Sequence, residues 1–568
     1  MHNLKTDTQE TCTVSQASKS IDFIFSETWN FLNQKRCDWS SNDLNTFLKL
    51  VDVLKSQKQQ LERLQDFNEY KHIFLQYCNE PEKQFLESKG LSVERLYSSF
   101  RLTEAHAQYN LTKIKARTKA KKIPIRFHRG YGNVLREYQD EVLTRRYFVL
   151  TCPFTEMEIK STHSFPIGQA IFYRFESQEV FYVISFINST GYHVNSIYFP
   201  HLEILVNAFR NVKSLQNNLI SFVNKLRLEL VLDLHSLSTY LLAKHPKKII
   251  VHIGNVNFAH HLHNELEALQ RLLDRNLLDK IDEFWVTSQP LGSIDLIYPE
   301  IPANKLKLIQ DINVLNKAIN ECSFSLKVGD MYVSENLKSR IFKVSIENSQ
   351  PSVIELVNHA KQNCFPLLWV SIRLVNRTCV NQIDAFFKII TKLAQTHPNL
   401  GVVFDGFSLP IDRLSNPKYK ELDYQEDNIE KANKLVENLI SLIHSKCSSI
   451  QIFNTVGCTL AESIVWAHTV NFYLCHHGTT QHKIGWLTDK PGIVHSNRET
   501  LSRSSYPEAK GSWLNCKNAI FLSEEDVTDD EIPDEYKNDF RKNLKNYYLK
   551  WERAYEELLK LSLLPLRG

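Results

Sequence analysis

Between residues 21 and 120 apolar side chains recur at spacings of three and four. FIFSETWNFLNQ, NDLNTFLKLVDVLKSQKQQLERLQDF and EYKHIFLQYC each read as a helix. Ser41 and Asn42, ahead of Asp43, offer side-chain acceptors for the start of the second one. The period changes near residue 145. RRYFVLTCPF, QAIFYRF and EVFYVISFI are short, aromatic and β-branched, and Gly191 and Pro200 punctuate the stretch, so it reads as strands.

From about residue 228 strand-like and helix-like runs alternate. LELVLDLHS, KKIIVHIGN and DEFWVTS are apolar runs, separated by LSTYLLAKH and FAHHLHNELEALQRLLDRNLLD. Residues 300–360 have helical periodicity and read as a connector. A second alternating block begins near 365, with strands in FPLLWVSIRL, LGVVFDGFS, SIQIFNTVG, NFYLCHHG and KPGIVHSN. Such alternation predicts βαβ units and parallel sheets. Residues 533–562 read as an amphipathic helix pair, with Trp551, Tyr555 and Leu558 on one face packed against the body. The partition that follows is a disordered 1–20, a helical 21–130 and a strand-rich 131–227. An α/β half with its connector spans 228–360, a second α/β half 361–530, and terminal helices 531–568.

The composition suits a globular chain, with 43% apolar and 23% charged residues among 568. Lys+Arg exceed Asp+Glu by 68 − 64 = 4, which speaks against a nucleic-acid partner. The basic stretch at 113–126 is a solvated linker or an anion-facing patch. Eleven cysteines without a C-x-x-C pair predict a reduced, cytoplasmic protein. No run approaches 18 apolar residues, so membrane contact is at most peripheral.

The candidate chemistry concentrates at strand ends, where open α/β sheets bind ligands. After the strand ending at Cys475 comes His476-His477-Gly478-Thr479-Thr480-Gln481, and a helix starts near Thr480. Gly478 permits a close backbone approach, and the amides of Thr479, Thr480 and Gln481 suit a phosphate. Lys483 can add positive charge. The alternative is a capped strand–helix turn. Asp405, in DGFS, ends another strand, where it meets a base, a sugar hydroxyl or an arginine, or caps a helix. No H-E-x-x-H, Walker A, G-x-S-x-G or G-x-G-x-x-G pattern is present, which excludes the corresponding metal, nucleotide, serine-nucleophile and dinucleotide sites.

QIFNTVG, CTLAESIVWAH, NFYLCHHGTTQHKIGW and KPGIVHS, in that order, resemble the C-terminal half of bacterial GT-B-type glycosyltransferases. The resemblance implies an α/β fold of two Rossmann-like doubly wound domains facing across a cleft, beside the helical front and strand-rich insert. It implies a nucleotide-diphosphate sugar as donor and no cofactor or metal. The acceptor is a glycan, a lipid-linked oligosaccharide or a protein; the oligomeric state stays open. It places Arg373 and Arg377, in WVSIRLVNRT, against the diphosphate with Gly478–Gln481, and Asn454, Thr455 and Gly457 at the nucleobase. The helix after the glycine loop lacks the family's ribose-binding glutamate, leaving Gln481 or Glu462 for that contact. Inverting transfer needs a base, and His260 and His261 come first for that role, with Asp233 after them. A sugar-nucleotide epimerase or hydrolase, and a non-enzymatic scaffold, are the competing functions.

Overall fold

The computed structural model describes residues 21–63, 70–101, 137–188, 191–208, 213–244, 247–310, 313–330, 332–416, 419, 424–504, 516, 518–532, 534 and 544–563. The expectations for residues 1–20 and 113–126 lie outside them.

At the front, helix α1 (Ile21–Leu32) buries Ile24, Phe25, Trp29 and Leu32. Helix α2 (Ser41–Ser56) is capped one residue earlier than expected, by Ser40, whose side chain accepts the Asp43 N–H. The third expected helix is instead strand β1 (Lys71–Phe74) with a tight turn behind it. Ile73 and Leu75, two apart, are its buried residues, and over so short a run the two periods look alike.

The aromatic stretch supplies strands as expected: a ladder of β2 (Phe148–Thr151) with β3 (Glu158–Ser161), then β4 (Ser164–Ile167), β5 (Ala170–Glu176), β6 (Val180–Asn188), β7 (Gly191–Phe199) and β8 (Ile204–Asn207). The six-stranded sheet runs β1-β8-β7-β6-β5-β4, with β1 parallel to β8 and the rest antiparallel. It is covered on both faces. Along β5, Ile171, Tyr173 and Phe175 enter one core, while Ala170 and Phe172 enter the other, with α1 and α2.

LELVL, the front of the run LELVLDLHS read as a strand, closes helix α3 (Lys213–Leu232). Leu226, Leu228 and Leu230 are buried and alternate with Arg227 and Glu229, so over this last stretch of the helix the apolar positions recur every two residues, as in a strand. Helix α4 (Leu234–Leu242) follows.

The first parallel sheet comprises β9 (Lys248–Ile253), β10 (Glu283–Val286), β11 (Leu306–Leu308) and β12 (Ser323–Leu326), in the order β11-β10-β9-β12. Residues 258–274 form one continuous helix, α5, π-helical at His261–Leu266. The expected connector thus hides two strands too short to show a pattern. The helical part of the link is α6 (Glu335–Glu347) and α7 (Pro351–Asn363). Strand β4 lies beside β12, where the Ser325 N–H donates to Ser164 Oγ at 2.6 Å.

The second parallel sheet has six strands where the sequence suggests five. They are β13 (Leu367–Ser371), β14 (Gly401–Asp405), β15 (Gln451–Asn454), β16 (Phe472–His476), β17 (Gly492–His495) and β18 (Ala519–Phe521). Their order is β15-β14-β13-β16-β17-β18, the doubly wound order, which reverses between β13 and β16. Between them run α8 (Gln382–Thr396), α9 (Tyr424–Lys446), α10 (Leu460–Thr469) and a short helix at 479–486. Of the expected terminal helix pair, one helix is described, α11 (Trp551–Leu563), preceded by a small ladder of β19 (Val527–Asp529) with β20 (Tyr547–Leu549), while residues 533 and 535–543 lie outside the described residues. Leu558, Trp551 and Tyr555 pack into the core that α8 shares. The fold is α/β, with two Rossmann-like doubly wound domains in a GT-B-like layout and an antiparallel sheet at the front.

Candidate functional site

Sheet order reverses where β13 and β16 lie side by side, and both strands end there, at Ser371 and His476. Beyond them stand Arg373, Arg377 and Gly478. The glycine adopts φ +128°, and a Cβ on it would lie 3.1 Å from Arg373 Nη1 and 3.6 Å from Arg377 Nη2. Asn376 holds both guanidinium groups. Arg373 Nε donates to its carbonyl at 2.7 Å and Nη2 to its Oδ1 at 2.8 Å, and Arg377 Nε reaches the same Oδ1 at 3.3 Å. Asn376 and Arg377 themselves have φ +31° and +51°. Thr479 and Thr480 are half-buried beside them, and the N–H groups of a helix's first residues have no partner within the helix.

Other expected donor ligands turn inward. Lys483 is buried in an ion pair with Asp405 and donates to Gly406 O at 3.0 Å and Ser408 Oγ at 2.9 Å. Asp405 also accepts from Ser463 Oγ at 2.8 Å and Thr455 Oγ1 at 3.2 Å. Lys483, Asp405 and Thr455 thus brace the sheet, and their side chains are spent on one another. The Gln481 side chain donates to Cys516 Sγ at 3.3 Å, and Glu462 caps α10 by accepting the Thr459 N–H at 2.9 Å. Neither side chain is left for a ribose. Asn454 is exposed at the end of β15, with Nδ2 donating to Asn433 Oδ1 at 2.8 Å, and half-buried Gly457 has φ +85°.

In the other half, Asn257 caps α5 by accepting the Ala259 N–H. His260 is half-buried, with Nδ1 2.9 Å from Asn264 Oδ1. Asn264 commits its amide nitrogen to Asp330 O at 2.6 Å, so its oxygen accepts from His260 Nδ1–H. The lone pair of His260 is therefore on Nε2, the tautomer a general base needs. His261 is fully buried against Glu265 at 2.8 Å, and Glu265 Oε2 also accepts the N–H groups of Gly254 and Asn255. Buried in this way, His261 meets no acceptor. Asp233 is likewise corrected, since it lies between α3 and α4 rather than at a strand end. It accepts from Ser236 Oγ at 3.0 Å, and neighbouring His235 faces Asp52 of α2 at 3.8 Å.

The two halves meet through rings. His263 of α5 lies 5.3 Å from His260, stacks on His482 at 5.7 Å and touches Trp486 at 5.2 Å. His482 Nδ1–H donates to Gly478 O at 2.9 Å. Burial takes the His482 pKa down to about 4 and that of His263 well below its ordinary value, so both rings are neutral near pH 7. His260 is thus three contacts from the glycine loop. A strap after β14 adds a second bridge. Asp412 Oδ2 accepts the Gln289 N–H at 2.7 Å, and Asn416 Nδ2 donates to Thr287 O at 2.9 Å. The H-H-x-H spelling flags His263, but nothing local to it predicts a partner more than 200 residues away.

Among the described residues no group of three or more His, Cys, Asp or Glu could hold a metal, and no helix is long and apolar enough to cross a membrane.

No protein-family model and no curated protein matches the chain. Solved structures with a similar layout include the UDP-GlcNAc 2-epimerase of Methanocaldococcus jannaschii in complex with UDP-GlcNAc and UDP. It is 13% identical, covering 53% of this chain and 73% of that one, with a TM-score of 0.22. A glycosyl transferase family 9 protein from Veillonella parvula is 10% identical over 56% of this chain and 97% of its own, with a TM-score of 0.28. The α,α-trehalose 6-phosphate synthase of Burkholderia multivorans is 9% identical over 64% and 77%, with a TM-score of 0.27. At these values the likeness says nothing of substrate or mechanism.

Proposed function

We propose that this chain is a glycosyltransferase that uses a nucleotide-diphosphate sugar. The diphosphate rests on Arg373, Arg377 and the Gly478–Thr480 loop, with the nucleoside towards Asn454 and Gly457. The acceptor, a glycan, lipid-linked oligosaccharide or protein, lies on the side of α5. The observation that carries this is the juxtaposition across the two halves: His260, with its lone pair on Nε2, stands against the ring stack that ends on Gly478 O.

His260 Nε2 takes the proton of the acceptor group. The acceptor oxygen or nitrogen then bonds to the sugar's anomeric carbon while that carbon's bond to the diphosphate oxygen breaks, with inversion. The electron pair leaves with the diphosphate, whose charge meets two guanidinium groups held in place before the reaction. The bracing of Arg373 by Asn376 matters here, because a donor fixed beforehand need not reorganise as charge develops.

The test is a thermal-shift screen with UDP, GDP, CMP and dTDP, with and without Mg²⁺. One nucleotide should raise the melting temperature without Mg²⁺, and Arg377→Ala should abolish that shift. His260→Ala should keep the shift and lose transfer. Release of free sugar without acceptor would favour the epimerase or hydrolase. No shift with any nucleotide would favour the scaffold.

A further inference from the structure

Residues 544–549 are distant from the donor site in sequence and run alongside it in space. On one edge β20 pairs with β19. On the other it follows the loop after β13. The Tyr547 N–H donates to Thr378 O at 3.0 Å, and the Val380 N–H donates to Tyr547 O at 2.8 Å. Asn381 and Leu549 exchange two more bonds. Asn381 Nδ2 donates to Leu549 O at 3.0 Å, and its Oδ1 accepts the Leu549 N–H at 2.9 Å. Nearer the site, Leu544 O accepts the Arg377 N–H at 3.2 Å, and Asn546 Oδ1 accepts the Thr378 N–H at 2.9 Å. Both backbone polar groups of Thr378 are thus tied to this one segment.

The segment is itself held. Asn497 Nδ2, just past β17, donates to Lys545 O at 2.8 Å. The carbonyl of Asn546 accepts the Asp530 N–H at 2.8 Å, and the Tyr547 side chain is fully buried. The loop needs such support. Asn376 and Arg377 have φ +31° and +51°, a conformation that residues other than glycine keep where their surroundings over-determine it. The backbone angles of a residue are set by the two rigid peptide planes that flank it. For Arg377 those planes carry its own N–H and the N–H of Thr378, and both end on residues 544–546. The direction in which the Arg377 side chain leaves the backbone is therefore fixed from outside its own loop.

We propose that Asn546 is a positioning residue for Arg377: by holding the peptide plane after Arg377, it keeps the guanidinium set for the diphosphate of a nucleoside diphosphate. This rests on the donor site assigned above and adds to it a segment that the sequence reads as packing alone. Asn546 acts through the backbone of Arg377, not by touching the ligand. Without its acceptor the loop is free to leave the left-handed conformation, and the guanidinium must be reordered each time the diphosphate binds, at a cost in affinity. The nucleoside, seated towards Asn454 and Gly457, does not bear that cost.

Calorimetry on the full chain tests this, with whichever of UDP, GDP, CDP or dTDP binds best and with its nucleoside. Asn546→Leu keeps the size and removes the acceptor. Asn546→Asp restores an acceptor oxygen, and about 0.5 M salt screens its added charge. Asn546→Leu should weaken the diphosphate about tenfold and leave the nucleoside unchanged. Asn546→Asp, compared with the parent at the same salt, should recover most of the loss. The proposal is overturned if folded Asn546→Leu binds the diphosphate like the parent, if it weakens for nucleoside and diphosphate alike, or if Asn546→Asp binds no better than Asn546→Leu. Should Asn546→Leu fail to fold, amide hydrogen exchange of the parent decides. Coupling is reciprocal, so the diphosphate must slow exchange at residues 544–549 and the nucleoside must not; equal exchange with both overturns the proposal. If no nucleoside diphosphate binds the parent at all, the donor site itself is wrong and the role of Asn546 falls with it.

Discussion

Gly478 is demanded twice over, by its φ of +128° and by the guanidinium of Arg373 where a Cβ would go. Gly478→Ala should therefore lower nucleotide affinity tenfold or more while costing the fold only about 1–3 kcal/mol; titration calorimetry beside a melting curve separates the two. Lys483→Met should do the reverse. It leaves Asp405 buried and unpaired, a loss of about 3–5 kcal/mol, measured as a lower urea midpoint, with nucleotide affinity kept by the molecules that stay folded. The contrast shows what was legible. A glycine after a strand and arginines after its neighbour can be placed from spacing alone, because backbone topology brings strand ends together. Whether Lys483 points out or in depends on a π-helical turn beginning at His482 and on an aspartate 78 residues earlier. No local pattern encodes either.

At the scale of elements, the histidine-rich helix was read as a helix and is one, with Asn257 as its cap. Its division of labour between His260 and His261 was not visible, since these are adjacent residues and about 100° of rotation separates a half-buried ring from a fully buried one. The same helix carries Glu267 past its middle, which accepts the N–H and hydroxyl of Ser334 at the start of α6, at 2.8 and 2.9 Å. Burial lifts its pKa to about 7 from 4.5. A raised carboxyl pKa means that the fold favours the protonated form. The contribution of Glu267 to stability is then greatest below pH 4.5 and declines through pH 7, by about 3 kcal/mol for a shift of this size. Glu267→Gln should accordingly raise the melting temperature at pH 8 and change it little at pH 4.5. The strap is a second element with a testable task. Asp412→Ala removes the acceptor for the Gln289 N–H, and should widen the molecule in small-angle scattering and weaken nucleotide-induced stabilisation. Strands β11 and β12 escaped notice because three or four residues cannot display a period, and the end of α3 because Leu226, Leu228 and Leu230 alternate with Arg227 and Glu229 as a strand would.

For the whole molecule, the doubly wound halves were legible because long helices alternate with apolar strands over 160 residues. Their packing against the front sheet was not, for it rests on contacts between distant segments. One molecular property follows from the interior. Among the described residues nine histidines, at 72, 163, 252, 263, 397, 468, 476, 482 and 495, have pKa values lowered by burial, those of His252 and His495 to about 3 and those of His468 and His482 to about 4. Each favours the fold above pH 6.5, and that contribution is lost as the pH falls towards the folded pKa, at about 1.4 kcal/mol per pH unit. Melting temperatures should therefore drop steeply between pH 6.5 and 5.

One continuous apolar core includes Ile73, Tyr173, Ile249, Leu337, Ile464 and Cys516. During synthesis the front sheet is complete by residue 207, whereas Phe324, which stacks on Tyr173 of its inner face at 5.5 Å, is made more than 100 residues later, so that part of the face has no cover until then. That face must wait exposed or be sheltered by a chaperone, and a gene cut near residue 210 or 365 should yield insoluble fragments on both sides.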